Sequence, residues 1–189
     1  MTSLLLYYWT HTERMSVYVV LGVMGGWFGD LFLMLPDPNQ KRIFFRYGLI
    51  AFLLGHIAYA IALLQFANPL FHMQITLTHV IRLFLYSLPY CVLVGVGAKI
   101  IVPCAGKMRI PVAIYMLVIF FMAFSAVCMA QIAPFRSAVY AMAGAWIFML
   151  SDTLNGYNKF VKEVPIERPL TMSTYILGQF LIVESILLF

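Results

Sequence analysis

Six long apolar stretches dominate this chain, at about residues 16–35, 46–66, 75–98, 110–131, 137–157 and 171–189. Each supplies the ~20 residues that a helix needs to cross the hydrocarbon of a bilayer. None alternates apolar with polar residues in the short segments of a membrane barrel, so the stretches read as helices. Inside lipid every backbone N–H and C=O must bond within the protein, which leaves a helix bundle as the available fold. The expectation is an all-α, polytopic transmembrane bundle, with residues 1–189 forming a single transmembrane domain. Ser3 to Trp9 is apolar but too short to span, and no small-residue cleavage site follows it. It reads as a helical stub or an interfacial segment rather than a signal peptide.

Composition narrows the function classes. Hydrophobic residues make up 63% of the chain and charged residues 10%, and the mean hydropathy is +0.94. Soluble domains average about 45–50% apolar and roughly 25% charged, so a water-soluble enzyme and a disordered regulator are excluded. The formal charge of +5 is carried by too few side chains to track a nucleic acid. Cys91, Cys104 and Cys128 are odd in number and lack CxxC spacing, which argues against a disulfide framework or a zinc site. Lys41, Arg42, Arg46, Lys99, Lys107, Arg109, Lys159, Lys162 and Arg168 all fall on one side of the spans, against Arg14 and Arg136 on the other. By the positive-inside rule the basic side faces the cytoplasm. A bacterial inner membrane and an endoplasmic reticulum fit that bias equally well.

Ionisable groups at membrane depth cost several kcal/mol and usually face the bundle interior. Asp30, Arg82, Asp152 and Glu184 are the acidic and basic residues inside the spans. At 1.5 Å per residue, Asp30 and Asp152 lie at a similar depth, about 9 Å from the basic-side end of their spans. His56 sits nearer the midplane with Tyr59 on its face, and Tyr175 and Gln179 are four residues apart on the last span. These groups are expected to converge on one internal site that opens toward the basic side. Simpler readings stand beside that one. Either Asp can be a capped structural residue, His56 an interhelical hydrogen-bonder, and Tyr175 with Gln179 glue between helices. Arg82 and Glu184 are expected to pair with each other, and His11, His72 and His79 to be interfacial. Gly22-xxx-Gly26, Gly25-xxx-Gly29 and Ala141-xxx-Ala145 form small faces beside the two carboxyls and imply close helix packing. No P-loop, dinucleotide-binding glycine pattern, GxSxG elbow or HExxH motif occurs.

Four motifs occur in a recognisable order. They are Gly29-Asp30, Phe52-Leu53-Leu54-Gly55-His56-Ile57-Ala58-Tyr59, Gly144-Ala145-Trp146-Ile147-Phe148-Met149-Leu150-Ser151-Asp152 and Tyr175-Ile176-Leu177-Gly178-Gln179-Phe180-Leu181-Ile182. Together they resemble the YhhN-like family, which includes the lysoplasmalogenases, integral membrane hydrolases of the vinyl-ether bond. Tyr115-Met116-Leu117-Val118-Ile119-Phe120-Phe121-Met122 is similar to the family's fourth-span pattern. Family members carry further helices ahead of the Gly-Asp span, so this chain reads as a short form or a late start.

The resemblance implies that Asp30 and Asp152 are the family's paired acidic residues. It further implies that His56, Tyr59, Tyr175 and Gln179 orient the carboxyls, the water or the substrate. A vinyl ether hydrolyses by protonation at its β-carbon, giving an oxocarbenium ion that water attacks. One buried carboxyl donates that proton in such a scheme, while the other stabilises the cation or activates water. The logic parallels paired-carboxylate glycoside hydrolysis. It requires no cofactor and no metal, although a cation held by His56, Asp30 and Asp152 is an alternative. The expected partners are a lysophospholipid substrate and membrane lipids, with no nucleic acid, and a homo-oligomer is compatible with the sequence. The substrate would enter laterally from the cytoplasmic leaflet, its head group near Lys41, Arg42 and Arg168. Two other readings remain open at this point: a non-enzymatic lipid or proton-coupled carrier, and a hydrolase of another lyso-lipid.

Overall fold

The computed structural model describes residues 2–12, 16–36 and 43–189. The basic residues Arg14, Lys41 and Arg42 lie outside the described residues. The chain forms α1 (Thr2–His11), α2 (Val17–Met34), α3 (Ile43–Phe66), a short α4 (Asn68–His72), α5 (Leu77–Cys104), α6 (Arg109–Ala130), α7 (Phe135–Phe160) and α8 (Glu167–Leu187). No strand occurs among the described residues. Six of these helices, α2, α3 and α5 to α8, are long and apolar enough to cross a membrane. The ten-residue α1 falls short of that length, as its sequence implies.

Helix ends follow local chemistry. Thr76 and His79 form a capping box at the start of α5, the Thr76 backbone N–H donating to His79 Nδ1 at 3.3 Å. His79 is therefore a capping residue rather than a ligand. Pro134 immediately precedes α7, where its missing N–H costs no helical bond. Helix α5 runs past the expected end at 98, over Lys99 and Pro103, as far as Cys104. Gly106 then turns the chain with φ +55, a conformation that only glycine adopts without a steric penalty.

Helices α2 and α3 form one tight pair and α7 and α8 another, with α6 between α3 and α7. Helix α5 lies outside, on α6 and α7, and α1 touches α2 and α8. Small residues explain the two tight pairs. A side chain added at Gly25 would come within 2.6 Å of the Gly55 Cα. One added at Gly144 would come within 2.9 Å of the Ile182 backbone nitrogen, and one at Gly178 within 2.9 Å of Phe148. Ala141 and Ala145 are fully buried. Cross-helix hydrogen bonds reinforce the second pair, Ser137 donating to the Ser185 carbonyl at 2.7 Å and Ser151 to the Thr171 carbonyl at 2.8 Å. Helices α2 and α8, by contrast, scarcely meet through their backbones.

The expected pairing of Arg82 with Glu184 does not occur. Arg82 is exposed on the outer helix α5, which does not pack on α8. Glu184 instead accepts a hydrogen bond of 2.8 Å from the Tyr7 hydroxyl of α1, and that contact fastens the short helix to the bundle.

Candidate active site

The polar residues singled out along the sequence gather between α2, α3, α6, α7 and α8. Each is carried there by its position on a packed helix face. His56 and Tyr59 lie on the buried side of α3, and Tyr175 and Gln179 on the buried side of α8. Asp30 is half-buried near the basic-side end of α2, and Asp152 on α7 is mostly buried, with its side chain 10% exposed.

Asp152 is held from two sides. The Tyr115 hydroxyl of α6 donates to its Oδ2, and His56 Nε2 of α3 lies 3.2 Å from that same oxygen. The histidine contact is within ion-pair reach but off the line of a hydrogen bond. His56 Nδ1 lies 2.6 Å from the Phe52 carbonyl oxygen. A carbonyl only accepts, so Nδ1 carries a proton and Nε2 is the nitrogen turned toward the carboxyl. The His56–Asp152 contact is the sole approach within 4 Å of a basic side-chain nitrogen to a carboxyl oxygen among the described residues.

A second polar pair lies alongside. The Tyr59 hydroxyl donates to Gln179 Oε1 at 2.9 Å, deep in the core. Gln179 Nε2 and the Tyr175 hydroxyl are buried and close no hydrogen bond of normal geometry among the described residues. Both face Gly26 of α2, where an added Cβ would sit 2.2 Å from the Tyr175 hydroxyl and 2.5 Å from Gln179 Nε2. Tyr175 also interacts electrostatically with Asp30. Phe148 ties the two polar pairs together. Its ring centroid lies 4.9 Å from that of His56, 6.4 Å from that of Tyr59 and 5.3 Å from that of Tyr175.

Asp30, Asp152 and Tyr175 line a common cavity of about 290 Å³, together with Asn155, Arg168 and Thr171. The two carboxyls interact electrostatically across it. Arg168 is exposed at the basic end of α8, so the cavity reaches the surface there. A smaller apolar cavity of about 70 Å³ lies on the other side of Asp152, among α3, α5, α6 and α7. Asp152, Asn155, Leu33 and Phe52 form the partition between them. Sequence reasoning missed Tyr115 as a site residue, although it heads one of the recognised motifs, and it missed Asn155 and Thr171 altogether. Among the described residues no three His, Cys, Asp or Glu side chains gather as a cation site would require.

A cavity with two facing carboxyls and an arginine at its mouth, enclosed by spanning helices, defines a multi-pass integral membrane protein with an internal polar site. The chain belongs to the YhhN family, whose sequence model matches residues 1–186. Curated relatives include human lysoplasmalogenase TMEM86A, 30% identical over 179 residues, which are 93% of this chain and 66% of that protein. The bovine protein of the same name is 29% identical over 179 residues, 93% of this chain and 67% of its own length. The chain thus spans about two thirds of the length of the curated relatives it matches. No solved structure matches it.

Proposed function

We propose that this protein is a membrane hydrolase that cleaves the vinyl-ether bond of lysoplasmalogens. The products are a fatty aldehyde and a glycerophospho-ethanolamine or -choline, and Asp30 with Asp152 forms the acid/base pair. The observation that carries the reading is the pair of carboxyls from different helices facing one cavity with an arginine at its mouth. The names of the mammalian relatives point to the same substrate.

The chemistry suits the geometry. One carboxylic acid delivers its proton to the β-carbon of the vinyl ether, and the π electrons form the new C–H bond. The α-carbon is left as an oxocarbenium ion, and the second carboxylate lies across the same cavity to stabilise it. That carboxylate accepts a proton from the attacking water, and the hemiacetal collapses as the glycerol oxygen leaves with a proton. Net, one water is consumed and no oxidant or reductant is needed. General acid–base catalysis of this kind contributes typically ~10²–10⁴-fold. Tyr115 and His56 fix the orientation of Asp152, and their contacts at Oδ2 leave its other oxygen for the reaction. Gln179 Nε2 offers a buried donor to an oxygen of the substrate or the water, and the Tyr175 hydroxyl stands beside Asp30. The Arg168 guanidinium matches a phosphate with two parallel hydrogen bonds, as a lysine does not.

The test is aldehyde release from lysoplasmenylethanolamine by the purified chain, with Asp30→Asn and Asp152→Asn beside wild type. The expected result is turnover by wild type and a loss of at least about 100-fold in each variant, with thermal stability retained. Ester and alkyl-ether lyso-lipids run in parallel distinguish a hydrolase of another lyso-lipid. A well-folded wild type that releases no aldehyde removes the proposal.

A further inference from the structure

The polar cavity has a second neighbour, on the lipid face. Between α2 and α8 lies a groove of about 260 Å³ whose outer walls are Trp27, Leu31 and Ile176, all exposed. Asp30, Met34, Met172 and Tyr175 line both this groove and the inner cavity. The two spaces therefore adjoin through the seam where the backbones of α2 and α8 scarcely meet. Deeper in the bundle the seam is shut, because Gly26 lies against Tyr175 and Gln179.

Volume decides where a hydrocarbon chain can go. The inner apolar cavity of about 70 Å³ holds only a handful of water-sized groups, at ~10–15 Å³ each. The larger inner cavity is walled by two carboxyls and an arginine, and burying such groups against hydrocarbon is costly. The groove is apolar along its exposed outer wall of Trp27, Leu31 and Ile176, and polar only where Asp30 and Tyr175 reach its inner edge. Its layout also follows the polarity of an amphiphile. Along α2, Met34, Asp30 and Trp27 descend from the basic end over about 10 Å at 1.5 Å per residue, so Asp30 lies between the surface and the deep part of the groove.

We propose that the α2–α8 seam is a lipid doorway. A single-chain phospholipid seats its hydrocarbon chain in the groove of Trp27, Leu31 and Ile176 and passes its head group inward, past Asp30, to Arg168. The bond at the foot of the head group then lies beside Asp30 without the chain ever entering the bundle. Met34 and Met172, flexible and unbranched, line both sides of the opening. This rests on the lyso-lipid reading of the site and adds where the lipid binds.

The doorway is tested by a binding measurement that does not depend on turnover. A protein with Trp9→Phe and Trp146→Phe keeps Trp27 as its single tryptophan. It is placed in nanodiscs and titrated with lysophosphatidylethanolamine brominated in its chain, which quenches a tryptophan on contact. The comparator carries its tryptophan on the lipid face of α6, through Trp27→Phe and Leu117→Trp in the same background. The expected result is saturable quenching of Trp27 and only a linear decline for the comparator. Identical linear declines overturn the doorway. In an otherwise unaltered protein, Leu31→Trp is expected to raise KM for a long-chain lysoplasmalogen about tenfold, whereas Leu117→Trp leaves it unchanged; equal KM values for the two variants also overturn it. If wild type binds saturably yet releases no aldehyde, the hydrolase reading fails and the doorway stands. If it hydrolyses without saturable quenching, the reverse holds.

Discussion

Tyr115 donates its hydroxyl hydrogen bond to the carboxyl oxygen that also faces His56. A hydrogen bond to a charged group contributes about 1.5–3 kcal/mol, and ~1.4 kcal/mol is tenfold in rate. Tyr115→Phe is therefore expected to lower kcat for aldehyde release about 10- to 100-fold with KM little changed, and to lower the unfolding temperature modestly, because the carboxyl loses a buried partner. A variant with wild-type kcat would show that Asp152 needs no such support. Asp30, Asp152 and His56 were legible in the sequence because charge and imidazole are costly in hydrocarbon; the two carboxyls line one cavity, and His56 stands behind Asp152, outside that lining. Tyr115 was not legible, because a tyrosine in an apolar helix is an ordinary packing residue. Only the facing of α6 and α7 sets it against Asp152. Asn155 follows Asp152 by three residues, hence on the same helical face, and that spacing was the available clue to it.

Helix packing rests on absent side chains. Gly25 meets Gly55 backbone to backbone, with no flexible group to move aside. Overpacking a filled interface typically costs ~1–3 kcal/mol, occasionally more. Gly25→Leu is thus expected to lower the unfolding temperature in detergent markedly and to remove activity with it; unaltered stability would mean that the α2–α3 pair is looser than the structure indicates. Gly26→Ala differs in kind. Its new methyl group meets the ends of the Tyr175 and Gln179 side chains rather than backbone, and such ends can swing. It is expected to spare stability and to reduce turnover, which thermal unfolding and aldehyde release measured together would separate. Hydropathy located the six spans, because a run of apolar residues is its own signal. It misjudged the end of α5, where Lys99 is exposed and a lysine stem can reach the interface from inside the last turns. The stop came instead from Gly106 and its positive φ. The supposed Arg82–Glu184 pair failed because helix order along the chain does not say which helices touch.

Orientation joins the charge bias to the doorway, because the groove and Arg168 lie toward the basic end and must face one leaflet. The basic loops are proposed to be cytoplasmic, which makes the cytoplasmic leaflet the source of substrate. The chain carries three reporters of this. Cys104 is free and exposed at the basic end of α5, Cys91 is free and exposed near the middle of the same helix, and Cys128 is buried. A maleimide reacts with the thiolate, a form that water supports and hydrocarbon does not. A membrane-impermeant maleimide is therefore expected to modify Cys104 only when the cytoplasmic face is open to it, and to leave Cys91 and Cys128 untouched from either side. Mass spectrometry of the labelled chain from sealed right-side-out and inside-out vesicles reads the result. Labelling of Cys104 from the outer face would reverse the orientation and turn the doorway to the opposite leaflet. The arrangement of Asp30, Arg168 and the groove relative to one another would be untouched, since the order of head group, carboxyl and chain is set by α2 and α8 and not by which side of the membrane they face.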